Sequence, residues 1–288
     1  MIREKKTKSG KLLEIDYYPI YGDSRHVNHQ PLRKSTEAQE KYNKLQAQKK
    51  IVRLVNANFG NDDVLLTLTY KSADSPLDDK QAKKDITNYL RRVKYFREKK
   101  AKDLKKQIKA QPKNKKLKAD LKKASEPMKY IYAFECKTYK KGKRKGQKSY
   151  HFHLFLTGCG SGDRDEYEKL WNGRTNADRF QPESFGPDTA AKYIAKGDGA
   201  TQGQKKYVCS KNLVKPVQKV RDDKVNKRKT ELMATRHSED REYWERRHKG
   251  YKFLKCYARW NEYNMNWYIS VVMYKTDEDV PEWSFEDW

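Results

Sequence analysis

Apolar positions change period several times along the chain, and each change marks an element. Over residues 36–57 (TEAQEKYNKLQAQKKIVRLVNA), Tyr42, Leu45, Ile51, Val52 and Leu54 sit behind Ser35, a residue type suited to capping, and predict an amphipathic helix. After a turn at 58–63, VLLTLTY (64–70) is apolar and rich in strand-forming residues with no breaker, which predicts a buried strand. Residues 77–99 repeat apolar side chains at Ile86, Leu90, Val93 and Phe96, one stripe that lays a helix on a sheet. The continuation through Pro112 to Lys123 has few apolar residues. It is expected to project into solvent as basic helices or a mobile arm.

KYIYAFECK (129–137) and SYHFHLFLTG (149–158) are aromatic and aliphatic, and the basic, glycine-containing linker between them suggests an antiparallel hairpin. Residues 163–172 read as helix and 179–185 as extended chain. Pro187 opens a short helix that Gly197 closes. The order β-α-β-β-α-β-α predicts an α+β fold, an antiparallel central sheet flanked by helices, with a long basic helical insertion at 97–125. The expected organisation is an N-terminal extension at 1–35, a main domain at 36–216 and a C-terminal segment at 217–288. That last segment combines charged helical residues, a late strand at 263–275 and an acidic tail at 276–288.

Charge changes the picture. The 288 residues carry 66 Lys and Arg against 39 Asp and Glu, a net +27, and the excess is clustered. Residues 97–125 hold thirteen basic side chains and three acids, and 137–148 hold seven basic side chains and no acid. Such clusters neutralise phosphates and release counterions, so they point to nucleic acid. No apolar run is long enough to span a membrane, and the N-terminus lacks the apolar stretch of a signal peptide, so a cytoplasmic protein without membrane partners is expected. Four cysteines without a CxxC pair suggest neither a zinc ribbon nor a disulfide framework. No GxxxxGK[ST] loop is present, the nearest stretch being GKRKGQKS at 142–149, so a fused ATP-driven helicase is not indicated.

Two constellations carry chemistry. His151 and His153 lie two apart on a predicted strand, so both imidazoles face one side while Phe152, Leu154 and Leu156 face the other. Glu135 on the partner strand, the only acid between Pro127 and Gly162, is placed to add a carboxylate oxygen. Two imidazoles and a carboxylate suit a divalent ion with exchangeable positions, Mn²⁺ or Mg²⁺. In AAKYIAKG (190–197), Tyr193 and Lys196 share a helix face, and an ammonium beside a phenol lowers its pKa and holds a phosphate oxygen. Each pattern alone also occurs as ordinary packing.

Taken together, VLLTLTY, HFHLFL and KYIAK, in this order, resemble the three motifs of HUH endonucleases, specifically the rolling-circle replication initiators (Rep proteins) of small plasmids and single-stranded DNA phages. NANFGNDDVLLTLTY, LWNGR and YVCSKNLVKP add to the resemblance, which covers roughly residues 36–216. It implies an HUH, RRM-like fold with Thr67 and Thr69 on a strand beside the active site. It implies His151 and His153 as metal ligands, Glu135 as the third, Tyr193 as the nucleophile and Lys196 as its accompanying lysine. Thr189 stands four before Tyr193, where some phage relatives have a second tyrosine, so the chain looks like a single-tyrosine enzyme; Tyr207 is expected to be structural. The expected activity is metal-dependent nicking of single-stranded or hairpin origin DNA in a bacterial host cell, through a 5′-phosphotyrosine, with strand rejoining. A host helicase and polymerase are the expected partners. Alternatives are an HUH relaxase, a single-tyrosine transposase, and a non-catalytic basic nucleic-acid-binding protein.

Overall fold

The computed structural model describes residues 1–21, 36–71, 75–76, 78–139, 141, 145–146, 148–181 and 207–275. The chain runs β1 (Ile2–Ser9), β2 (Leu12–Pro19), α1 (Glu37–Asn58), β3 (Val64–Tyr70), α2 (Asp79–Ala110), α3 (Lys115–Ser125), β4 (Tyr130–Thr138) and β5 (Lys148–Leu156). It continues through α4 (Asp163–Lys169), β6 (Gly173–Arg179), β7 (Tyr207–Cys209), β8 (Val217–Arg221), α5 (Lys227–Thr235), α6 (Arg241–Arg247), β9 (Tyr251–Asn261) and β10 (Asn266–Lys275). The fold is α+β, with two antiparallel five-stranded sheets flanked by helices.

Two compact units result, one of residues 1–57 with 214–288 and one of residues 58–213. The residues expected as an N-terminal extension therefore include two strands, β1 and β2, that pair with β8 and β10. Their partners lie some two hundred residues away, which local patterning cannot reveal. In this unit the strand order is β8-β1-β2-β10-β9. Leu13, Ile15, Tyr17, Ile269, Val271 and Met273 bury one sheet face against Met233 and Ala234 of α5 and Trp244 of α6. Glu14 points to the other face and pairs with Arg53 of α1. Only the second half of α1 is buried, at Ile51, Val52, Leu54 and Val55; Tyr42 and Leu45 are exposed. Ser35 lies outside the described residues, and the Thr36 hydroxyl accepts from the Gln39 N–H at 3.2 Å.

The second unit has strand order β6-β3-β5-β4-β7. Val64, Leu66 and Leu68 of β3 join Phe152, Leu154 and Leu156 of β5 on one face, all fully buried, against Ile86, Tyr89 and Val93 of α2. Asp78 caps α2, accepting from the Gln81 N–H at 2.7 Å. The sixth strand falls at 173–179, earlier than the extended segment read at 179–185, because its polar GRTNADR sequence lies along the free edge of β3. Residues 182–185 lie outside the described residues.

The basic insertion does not project into solvent. It forms the end of α2 and a second helix, α3, folded back on it, with Leu104 and Ala124 buried and Leu117 and Leu121 against the same core. A buried arginine fastens the return. Arg97, 3% exposed, donates to the carbonyls of Thr157, Gly158, Lys123 and Glu126 at 2.7–3.0 Å and to the Tyr167 hydroxyl at 3.1 Å. One guanidinium thus joins α2, the end of α3 and the chain leaving β5, and the lysines are left on the outer face.

Arg97→Ala removes these hydrogen bonds together, leaves the Gly158 and Glu126 carbonyls without the arginine's N–H groups, and should destabilise the protein by about 3 kcal/mol, read as a shifted urea midpoint. Deletion of 101–124 should likewise lower stability, since it removes Leu104 and Ala124 from the core. A pH effect arises in the other unit. His248 is 9% exposed, with no partner for Nε2 among the described residues. Burial, with help from Lys6 and Arg247, pushes its pKa down to about 4. The unfolded chain, near 6.5, then binds the proton more readily, so stability should fall as pH drops from about 6.5 to 4. The loss is about 1 to 2 kcal/mol after allowance for solvent screening, and His248→Phe should flatten this slope in urea titrations.

Candidate metal and nucleic-acid site

The histidine face is set by β5. With Phe152, Leu154 and Leu156 committed to the core, Ser149, His151 and His153 share the opposite side. His151 lies between Glu135 of β4 and Thr69 of β3, and His153 between Ala133 and Thr67. Ala133 is small, so the Glu135 side chain can lean diagonally across the sheet. Its Oε2 lies 3.4 Å from His153 Nε2, and both residues are buried. Oε1 pairs with Lys137 Nζ at 2.8 Å.

Both imidazoles are held from behind. The Thr67 hydroxyl is 3.3 Å from His153 Nδ1 and the Thr69 hydroxyl 3.1 Å from His151 Nδ1. A hydroxyl that accepts from Nδ1–H leaves Nε2 as the lone-pair atom, the usual arrangement behind a metal-ligating histidine. His151 Nε2 is engaged by the Ser149 hydroxyl at 3.0 Å. Burial pushes Glu135 up, but hydrogen bonds and charge from Lys137 and His153 outweigh it and hold the carboxyl below its ordinary value. Burial drives His151 down, with Glu135 opposing and Lys137 assisting. The downward shifts favour a carboxylate at Glu135 and a neutral imidazole at His151, the forms that bind a cation.

The donor chemistry fits a divalent ion, and His153 with Glu135 already face each other. Among the described residues, however, no three His, Cys, Asp or Glu side chains converge on one point, because His151 Nε2 is turned to Ser149. Recruiting His151 requires exchanging that hydroxyl for the ion.

Tyr193 and Lys196, with Pro187, Thr189 and Gly197, lie outside the described residues. Tyr207 is on β7 opposite Ala133, so the register puts it on the histidine face, and burial raises its phenol pKa. Ser149 and Lys137 join the site without having been among its sequence-predicted residues. Ser149 continues the same period-two alternation, a signal present in the sequence, whereas Lys137 stood out only as part of a basic run. In LWNGR, Trp171 Nε1 donates to the Thr69 carbonyl at 3.0 Å, and a side chain at Gly173 would collide with both groups. That glycine lets the turn close against β3 and places Arg174 opposite Thr69.

No family model matches the chain, and neither a curated protein nor a solved structure matches it. Among the described residues, no helix is long and apolar enough to cross a membrane.

Thr67→Val with Thr69→Val keeps the packing volume but removes both hydroxyls. Calorimetric Mn²⁺ titration should show affinity reduced about 10- to 100-fold, with oligonucleotide binding in chelator unchanged. Because burial shifts His151 down, Mn²⁺ binding should weaken as pH falls, with proton competition at His151 setting in at lower pH than for an unperturbed imidazole.

Proposed function

We propose that the chain is a rolling-circle replication initiator of the HUH type, a metal-dependent nickase and ligase of single-stranded or hairpin origin DNA. The observation that carries this reading is the placement of Glu135, His151 and His153 on one sheet face, with each imidazole backed by a threonine of the VLLTLTY strand. The net charge of +27 supplies the general attraction for a polyanion.

His151, His153 and Glu135 would hold Mn²⁺ or Mg²⁺, which when bound polarises the scissile phosphate. Tyr193 is the nucleophile. Its oxygen forms a bond to phosphorus as the bond to the 3′ oxygen breaks, and the phenolic proton leaves while the 3′ oxygen gains one. Lys196 lies one helical turn on in the sequence pattern, lowers the phenol pKa and steadies a phosphate oxygen. The products are a 5′-phosphotyrosine and a free 3′-OH that primes synthesis. The retained phosphoester makes the step reversible, so the same site rejoins ends. A single tyrosine leaves the second transfer to another subunit, a hydroxyl or water. Unwinding and extension fall to a helicase and polymerase of the bacterial host, and the site of action is its cytoplasm.

Incubation with Mn²⁺ and 3′-labelled single strands tiling the origin of the replicon that encodes the chain should yield a denaturation-resistant adduct. Tyr193→Phe should abolish nicking and adduct, by about 10³-fold or more, and retain DNA affinity. His151→Ala with His153→Ala should do the same, whereas Tyr207→Phe should leave both activities. An adduct peptide mapped to Tyr207, or undiminished nicking by the double histidine variant, would overturn the assignment.

A further inference from the structure

One row of residues crosses four strands: Arg174 of β6 stands opposite Thr69, Thr69 opposite His151, and His151 opposite Glu135. Residues in one row share a face, and two strand spacings put the Arg174 backbone roughly 10 Å from that of His151. Between them opens a cavity of about 230 Å³, lined among others by Lys71, Lys148, Arg174, Ser149 and His151.

Three cations line this cavity and, among the described residues, no carboxylate does. Lys148 lies 3.6 Å from Asp79, so part of its charge is answered. Arg174 and Lys71 are exposed, and neither side chain has an ion-pair or hydrogen-bond partner among the described residues. Two exposed cations lining one cavity attract an anion into it. The cavity is polar and open, and it ends at an imidazole of the candidate metal site. Its chemistry matches a phosphodiester: a guanidinium fork for two phosphate oxygens, an ammonium for a third, and serine and threonine hydroxyls as further donors.

We infer that this cavity is a phosphate subsite for a single nucleic-acid strand, in which Arg174 and Lys71 grip a linkage adjacent to the one placed at His151. The inference rests on the nuclease reading of the same face and adds to it the direction in which the strand leaves: across β3 toward β6. It also gives LWNGR a use, since the turn closed by Gly173 delivers the arginine to the row of the histidines.

The test uses the full chain with Lys71→Ala and Arg174→Ala combined, and fluorescence anisotropy of a labelled single-stranded oligonucleotide in chelator across a salt series. Affinity should fall about tenfold, and the slope of log affinity against log salt should shrink by about 1.4, two contacts at about 0.7 each. Arg174→Lys, which keeps the charge, should recover part of the slope. Removing equal charge from the outer face of α2, with Lys84→Ala and Lys99→Ala, should have a smaller effect. A slope and affinity equal to the parent, or an equal loss from the α2 variant, would overturn the subsite. The two readings fail separately. A parent that never nicks while the cavity variant loses affinity removes the nuclease and keeps the subsite; a parent that nicks while the variant binds as before does the reverse.

Discussion

The two-faced geometry of the central strand β5 governs the second unit. Phe152, Leu154 and Leu156 are fully buried, and together their burial is worth roughly 5 to 9 kcal/mol relative to exposure. A slip of one residue would send those side chains to the other face and drive His151 and His153 into the apolar layer without partners, at a further cost of some kcal/mol per imidazole. Packing on one face thus holds the register, and the register aligns histidines, threonines and glutamate on the other.

That alignment explains the protonation state of the site. Glu135 is buried enough to be pushed up, but it is tied to Lys137 and faces His153, so it stays a carboxylate. His151 is half-buried and stays neutral below its ordinary pKa. A carboxylate beside the neutral His151 imidazole suits a cation. The phenol of Tyr207, on the same face, is shifted in the opposite sense to what a nucleophile needs.

Arg97 plays a comparable part for the helices. A lysine-rich segment lacks the apolar side chains to pack by itself, yet Leu104, Leu117, Leu121 and Ala124 suffice once a guanidinium ties together carbonyls at the end of α3 and after β5. Its lysines are then carried on a rigid helical pair rather than an arm, so their charge is presented in a fixed arrangement.

Local periodicity determined what depends on near neighbours in the chain. The strands around VLLTLTY and HFHLFL, the hairpin partner carrying Glu135, the α2 stripe and the common face of the two histidines were all legible, because side-chain alternation needs only the sequence itself. Tertiary structure decided whatever depends on distant partners. Residues 2–19 became sheet strands because β8 and β10 return to them, and a polar stretch at 173–179 became a strand because β3 had a free edge. The insertion turned inward because Arg97 found carbonyls from separate segments. In the site, residue types were readable from the sequence. Thr67 and Thr69 were placed beside the active site only by the resemblance; the contact of each hydroxyl with an imidazole, and the arginine two strands away, were not readable, since register across strands is settled by packing the whole sheet.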